Sequence, residues 1–185
     1  MQVTDIGLGV LEITPKRLGD ARGFFAETWQ CKRFADAGVA CDWVQDNQSL
    51  SAEAYVLRGL HFQKTPHAQA KHIRVLSGSI FDVAVDLRPW SKTFGGWVSC
   101  TLSAEAFNQL YIPEGFAHGF LTLEPSVEVL YKVSSPYAPE CERAIAWNDP
   151  SLAIAWPLPP GQEPMQSARD AAAAPLSKMR SELQF

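Results

Sequence analysis

The sequence has no uninterrupted apolar run of the roughly 18 residues that a membrane-spanning helix needs, so no membrane partner is expected. It also has no excess of base: 16 Lys+Arg stand against 20 Asp+Glu, a net charge of −4, which leaves too little cation to neutralise phosphates along a duplex and argues against nucleic acid. Its four cysteines, Cys31, Cys41, Cys100 and Cys141, include no C-x-x-C pair and have no histidine at finger spacing, which excludes a zinc ribbon or a dithiol redox motif. Residues 1–14 carry Asp5 and Glu12 and no basic stretch, unlike a secretory leader, so reduced thiols in a cytoplasmic protein are expected. There is no G-x-S-x-G elbow, no P-loop and no G-x-G-x-x-G, and with them go a serine-hydrolase nucleophile and the common nucleotide cradles. Histidine is scarce as well. Three of the four, His61, His67 and His72, fall in one short stretch, and that uneven supply points to a site.

What is present describes a folded chain. Its 185 residues suit a single domain, 1–185, with 46% apolar and 19% charged residues. Segments 10–14, 23–29, 43–49, 55–63, 68–76, 79–87, 96–102, 109–112, 119–123 and 127–133 are rich in β-branched and aromatic residues. Gly, Pro, Asp and Ser separate many of them. Such spacing predicts an all-β antiparallel sandwich or barrel. Short helices are expected at 32–37, before Gly38, and at 166–174. Residues 157–164, with four prolines, read as a connection, and the segment 157–185 is expected to pack on or near the barrel.

Period-two alternation then sorts side chains by face. In 127–133, Tyr131 points with Val127, Val129 and Val133; Lys71 shares a face with Ile73 and Val75; His118 lies with Phe116 and Phe120; His61 and Gln63 point together. An inward Lys is the least expected of these, because an unpaired buried ammonium is costly. Together with Tyr and two His it outlines a polar pocket with a hydrophobic wall. Clustered His in a small β-barrel suggests the cupin class, and the P-x-G-x2-H half of the metal-cupin pattern is present from Pro113 to His118. The other half is absent, since Phe62 and Gln63 follow His61 where a second ligand should stand and no suitably spaced Glu follows. The expectation is a cupin-like jelly-roll barrel with no metal and no cofactor. Acid–base chemistry at a carbon beside a carbonyl remains: a His base, a Tyr acid and a cation for the enolate oxygen.

Ordered blocks at 19–27, 44–47, 56–63, 68–71, 81–88, 112–120, 130–132 and 147–150 carry a resemblance over about residues 10–175. The most specific is Val56-Leu57-Arg58-Gly59-Leu60-His61-Phe62-Gln63. Through these blocks the chain resembles the dTDP-4-dehydrorhamnose 3,5-epimerase family of cofactor-free sugar-nucleotide epimerases. The resemblance implies His61 as base, Tyr131 as acid, Asp170 as partner of the histidine and Lys71 as donor to the enolate oxygen. It implies that Arg22, Glu27, Gln45, Asn47, Arg58, His118, Glu142 and Arg169 bind nucleotide or sugar, with Tyr137 stacked on the thymine. The implied substrate is a dTDP-4-keto-6-deoxyhexose epimerised at C3 and C5, and the implied assembly is a homodimer whose N-terminal segments reach the partner's site. The chain departs from the family pattern at Gln48, Ala70, Pro136 and Arg169, which leaves open a paralogue acting at C3 or C5 alone. A metal-dependent cupin enzyme or a non-catalytic sugar-nucleotide-binding module would also suit a pocket of this composition.

Overall fold

The computed structural model describes residues 1–39 and 42–185. In chain order the strands are β1 (Gln2–Gly7), β2 (Val10–Thr14), β3 (Leu18–Asp20), β4 (Gly23–Phe25), β5 (Gln45–Ser51), β6 (Leu57–Gln63), β7 (Lys71–Ser77), β8 (Ser79–Asp86), β9 (Trp97–Ser103), β10 (Gln109–Ile112), β11 (Phe116–Thr122), β12 (Val127–Val133) and β13 (Glu142–Ala144). Helix α1 (Cys31–Asp36) follows β4, and α2 (Ala168–Ala171) follows β13. A six-stranded sheet in the order β1-β2-β10-β7-β12-β5 faces a five-stranded sheet in the order β13-β6-β11-β8-β9; β3 and β4 form a separate hairpin. All pairings within these sheets are antiparallel. The fold is the expected cupin-like jelly roll, with its two sheets left open at their edges rather than closed into one barrel.

Three apolar clusters explain the layering. Between the sheets, Ile73, Val75, Val127 and Val129 meet Ile80, Ala84, Phe116 and Phe120, the residues that alternation turns inward. The other face of the five-stranded sheet is not exposed to water. Leu60, Phe62, Val83, Val85 and Ala117 are covered there by Ile145, Leu152, Leu176, Met179 and Leu183. Both faces of β11 are therefore buried, and every residue from Phe116 to Thr122 is inside. On the outer face of the six-stranded sheet Ile13 packs with Phe34 and Val39; Phe34 is the one buried residue of α1. That short helix is capped by Gln30, whose side chain accepts from Arg33 N at 2.6 Å.

The observed elements differ from the sequence expectations at their ends. The strand expected at 23–29 stops at Phe25, and the one expected at 119–123 begins at Phe116. The helix expected over 166–174 is a single turn. Three strands have no strong sequence signal: β1 carries Gln2, Thr4 and Asp5, while β3 and β13 have three residues each. They form because a partner strand supplies their ladder. Cys31, Cys100 and Cys141 carry free thiols, and the expectation for Cys41 lies outside the described residues.

One glycine holds the sheet that carries the site. Gly59 has φ +124, and a Cβ there would stand 2.5 Å from Gly119 Cα and 2.8 Å from His118 O. Only a residue without a side chain lets β6 approach β11 beside the register shift at His118 and Phe120. Gly59→Ala should lower stability by about 3 kcal/mol, a core-clash magnitude, and chemical denaturation would measure it. A variant as stable as the parent would show that the close approach is not needed.

Candidate active site

Five strands converge on one part of the sandwich interior. His61 on β6 and His118 on β11 are direct cross-strand partners, Tyr131 on β12 lies opposite Asn47 on β5, and Lys71 begins β7. Lys71 sits where Ile73 and Val75 continue inward, so its ammonium ends among protein atoms; Nζ donates to His61 O at 3.5 Å. His61, Lys71, His118 and Tyr131 line a cavity of about 530 Å³ together with Arg58, Glu142, Arg169 and Asp170. An adjoining cavity of about 220 Å³ shares His61, Lys71, Tyr131 and Glu142, and adds Gln45, Asn47, Gln63 and Tyr137.

The shortest polar contact to the histidine comes from far along the chain. His61 Nε2 donates to Asp170 Oδ1 at 2.6 Å, and because a carboxylate can only accept, the proton lies on Nε2 and Nδ1 is left as the basic nitrogen. Burial would raise the Asp170 carboxyl, but hydrogen bonds from His61, the Gly59 backbone and Ser167 outweigh it and hold it below the usual carboxylate range. The single turn of α2 aims this side chain: Ser167 caps it by accepting from Asp170 N at 3.1 Å.

The other ionisable groups are set by their surroundings. Burial pushes Lys71 down to about 8, with Asp82 and Glu142 acting in the opposite sense. Burial raises Tyr131, keeping its phenol protonated; nearby Arg58 opposes this and Glu142 adds to it. His118 Nε2 donates to both oxygens of Asp82, at 3.0 and 2.9 Å, yet its burial still lowers its pKa. At the cavity mouth Glu142 accepts from Tyr137 Oη at 2.7 Å and from Arg169, while Gln45 Oε1 accepts from Tyr137 N at 3.0 Å. Arg58 donates to Ser51 Oγ at 3.3 Å and to Leu50 O at 3.2 Å.

Most of the residues named from sequence thus come together around the two cavities: His61, Tyr131, Asp170, Lys71, Gln45, Asn47, Arg58, His118, Tyr137, Glu142 and Arg169 line them, and Gln63 joins them. Arg22 and Glu27 do not. Arg22 sits on the exposed β3–β4 hairpin with Asp20, and Glu27 accepts from Arg33 at 2.8 Å. The histidine cluster also separates. His72 is on the outer face beside Phe34 and Trp43, donates Nε2 to Gln109 at 2.7 Å and is pushed down by burial to about 4, so it is neutral. His67 lies in the turn after β6, 3.3 Å from Ser135 Oγ. Among the described residues no group of three His, Cys, Asp or Glu side chains converges as metal ligands.

Sequence reasoning missed three residues. Asp82 is fully buried beneath His118; its signal was a charged side chain at an inward position of β8, between Ile80 and Ala84. Ser49 Oγ and Gln166 Nε2 are buried in the wall of the larger cavity without a hydrogen-bond partner. Unpaired groups of this kind cost about 1–3 kcal/mol, and a ligand atom would satisfy them. Only Ser49 had a signal, its alternation with Gln45 and Asn47.

The known proteins that the chain resembles are sugar epimerases. A family model described as dTDP-4-dehydrorhamnose 3,5-epimerase matches residues 5–178. The dTDP-4-dehydrorhamnose 3,5-epimerase of Salmonella typhimurium is 51% identical over 165 residues, covering 89% of this chain and 88% of that protein. A crystal structure of dTDP-6-deoxy-D-glucose-3,5-epimerase from Legionella pneumophila, in complex with dTDP-4-keto-L-rhamnose, is 44% identical with a TM-score of 0.93, covering 100% of this chain and 98% of that one. The epimerase structure from Mycobacterium tuberculosis is 43% identical with a TM-score of 0.94, covering 100% and 94%.

The electrostatics carry a direct test. Lys71 should lose its charge as pH rises through about 8, well below the ordinary lysine value. Glu142→Gln removes a carboxylate that favours the ammonium, so it should move the midpoint lower still. NMR titration of the Lys71 side chain reads both, and a midpoint near 10.5 in the parent would refute the assignment of a desolvated ammonium.

Proposed function

The chain belongs to the dTDP-4-dehydrorhamnose 3,5-epimerase family, and from that membership we propose how its own residues carry the reaction. It is an epimerase that converts dTDP-4-dehydro-6-deoxy-D-glucose to dTDP-4-dehydro-L-rhamnose by inversion at C3 and C5. Both carbons flank the C4 ketone, so loss of either proton gives an enolate on the same oxygen.

In the proposed sequence His61 Nδ1 takes the proton from carbon, the C–H electron pair moves into the enolate, and Lys71 donates to the developing O4 anion. Tyr131 then delivers a proton to the opposite face, the enolate pair forms the new C–H bond, and the configuration inverts. The proton on His61 and the phenolate of Tyr131 are reset through solvent before the second centre reacts. Asp170 fixes the tautomer of the neutral imidazole and stabilises the imidazolium that forms from it. A placed general base is worth about 10²–10⁴-fold and an oxyanion donor about 10²–10³-fold, so both are needed. The observation that carries this reading is the His61–Asp170 pair on a cavity wall shared with Lys71 and Tyr131.

Arg58 and Arg169 supply planar cations for the diphosphate. Glu142 accepts from Arg169, and an arriving diphosphate competes with it for that guanidinium. Gln45, Asn47 and His118 offer polar contacts to sugar or nucleoside, and the half-exposed ring of Tyr137 provides a face for the thymine. Arg22 and Glu27 reach a site only if the β3–β4 arm enters a second copy. The exposed Leu18, Phe24 and Phe25 on that arm support a homodimer. The free thiols Cys31, Cys100 and Cys141 fit a cytoplasmic setting.

Incubation with dTDP-4-keto-6-deoxyglucose in heavy water should place deuterium at both C3 and C5; label at one carbon would indicate a single-position enzyme. His61→Ala should abolish the exchange in a folded protein, and unchanged exchange would remove His61 as base. Sharing of sites has its own signature. Mixing inactive Arg22→Ala and His61→Ala chains should restore activity toward about a quarter of the parent value, because half the dimers are mixed and each mixed dimer holds one complete site. No recovery after subunit exchange would place Arg22 outside the partner's site.

A further inference from the structure

The residue that acts as partner to His61 lies on a segment with little structure of its own. Helix α2 is four residues long, and Asp170 is its only buried side chain. A single turn is not stable by itself, so its position must be imposed from either side. Upstream, Met165 is hydrogen-bonded to the lead-in of β6: Met165 N donates to Tyr55 O at 2.9 Å, and Leu57 N to Met165 O at 2.9 Å. Downstream the segment is held by the stretch that follows β13. Ala146 N donates to Ala174 O at 3.0 Å, and Leu176 N donates to Asp149 Oδ2 at 2.6 Å. The same stretch is fastened to β6 beside the base. Ala144 is the cross-strand partner of His61, and Ile145 exchanges backbone hydrogen bonds with Leu60 at 2.9 and 3.2 Å.

Residues 144–149 therefore touch both members of the dyad's scaffold: the strand of the base on one side and the segment of the carboxylate on the other. Asp149 is the side chain that closes this frame. It is 3% exposed. Its second oxygen, Oδ1, accepts from Ser151 N at 2.7 Å, from Ser151 Oγ and from Leu152 N at 3.2 Å. Burial raises this carboxyl, but Ser151 and the Leu176 and Leu152 amides hold it in the ionised form. One oxygen is locked to its own turn while the other grips the amide six residues beyond Asp170, so the carboxylate acts as a rigid clamp between two backbones.

We propose that Asp149 is a positioning residue for the reaction: it holds the Leu176 amide and thereby sets the distance and angle at which Asp170 meets His61. It touches no substrate. The inference rests on the dyad reading given above, and it states which distant side chain the dyad's geometry depends on. Asparagine at this position can still accept from the Ser151 turn through its oxygen, but its amide nitrogen cannot accept from Leu176 N. A displacement of about 1 Å at a base–carboxylate pair can cost about a hundredfold in rate.

The test is a double-mutant cycle between Asp149→Asn and Asp170→Asn, read as kcat for epimerisation, with dTDP affinity measured by calorimetry as the control. Asp149→Asn should lower kcat about ten- to a hundredfold and leave the dTDP Kd within about twofold. In the Asp170→Asn background it should cost no more than about twofold further. Ser151→Ala, which removes one donor to Oδ1 but leaves the Ser151, Leu152 and Leu176 amides on the carboxylate, should lower kcat less than Asp149→Asn does. If Asp149→Asn does not fold, Asp149→Ser, whose hydroxyl accepts from only part of this set, enters the same cycle. Equal losses in both backgrounds, or a parent-like kcat in Asp149→Asn beside an impaired Asp170→Asn, would overturn the clamp alone. Full activity in Asp170→Asn would overturn both the clamp and the dyad on which it rests.

Discussion

The hydrogen bond from His61 to Asp170 joins residues 109 positions apart, and the remaining chemistry depends on it. One partner belongs to a central strand, the other to a segment laid along the edge of the sheet after every strand is complete. A buried carboxylate needs a donor in reach, and a histidine that works as a base needs its other nitrogen held. Each residue meets the requirement of the other, so the contact is at once a seam between two parts of the fold and the element that sets the tautomer. The apolar cluster of Leu60, Phe62, Ile145, Leu176, Met179 and Leu183 brings the seam together, and polar contacts align it. Hydrophobic burial provides the driving force without direction; the amide and carboxylate contacts provide the direction.

Strand periodicity made most of the interior legible. Tyr131 among three valines, Lys71 ahead of Ile73 and Val75, and His118 between two phenylalanines all follow from the alternation of side chains, and the structure turns them inward together. The tail was harder to read, because its alanine-rich stretch suggests a longer helix than four residues. Chain length decides that outcome: a turn this short gains too few internal hydrogen bonds to extend without a packed face. Strand β13 was not legible at all, since Glu142, Arg143 and Ala144 become a strand only because β6 offers an open edge. The roles of Arg22 and Glu27 entered through family resemblance, whereas within one copy each is engaged with a near neighbour in sequence, Asp20 and Arg33.

Four histidines in one chain have four environments, and the count said little about any of them. His72 is dry and neutral under α1, and His67 lies at a turn; His118 and His61 each pair with a carboxylate at the cavity wall, His118 buried against Asp82 and His61 the more exposed of the two. The same point applies to charge. A chain of net charge −4 still concentrates Arg58, Lys71 and Arg169 around one cavity, and this local field is what an anionic substrate meets. Glu142 offsets two of these cations, contacting Arg169 directly and favouring the charged form of Lys71.

The late position of Asp170 along the chain has a consequence for biosynthesis. As the polypeptide leaves the ribosome, both sheets can pair, and Lys71 and Tyr131 can take their places, before the carboxylate emerges. A nascent chain at that stage has a cavity but no oriented base. Competence depends on the segment around Asp170 being seated, so turnover reports that this late segment has docked against β6.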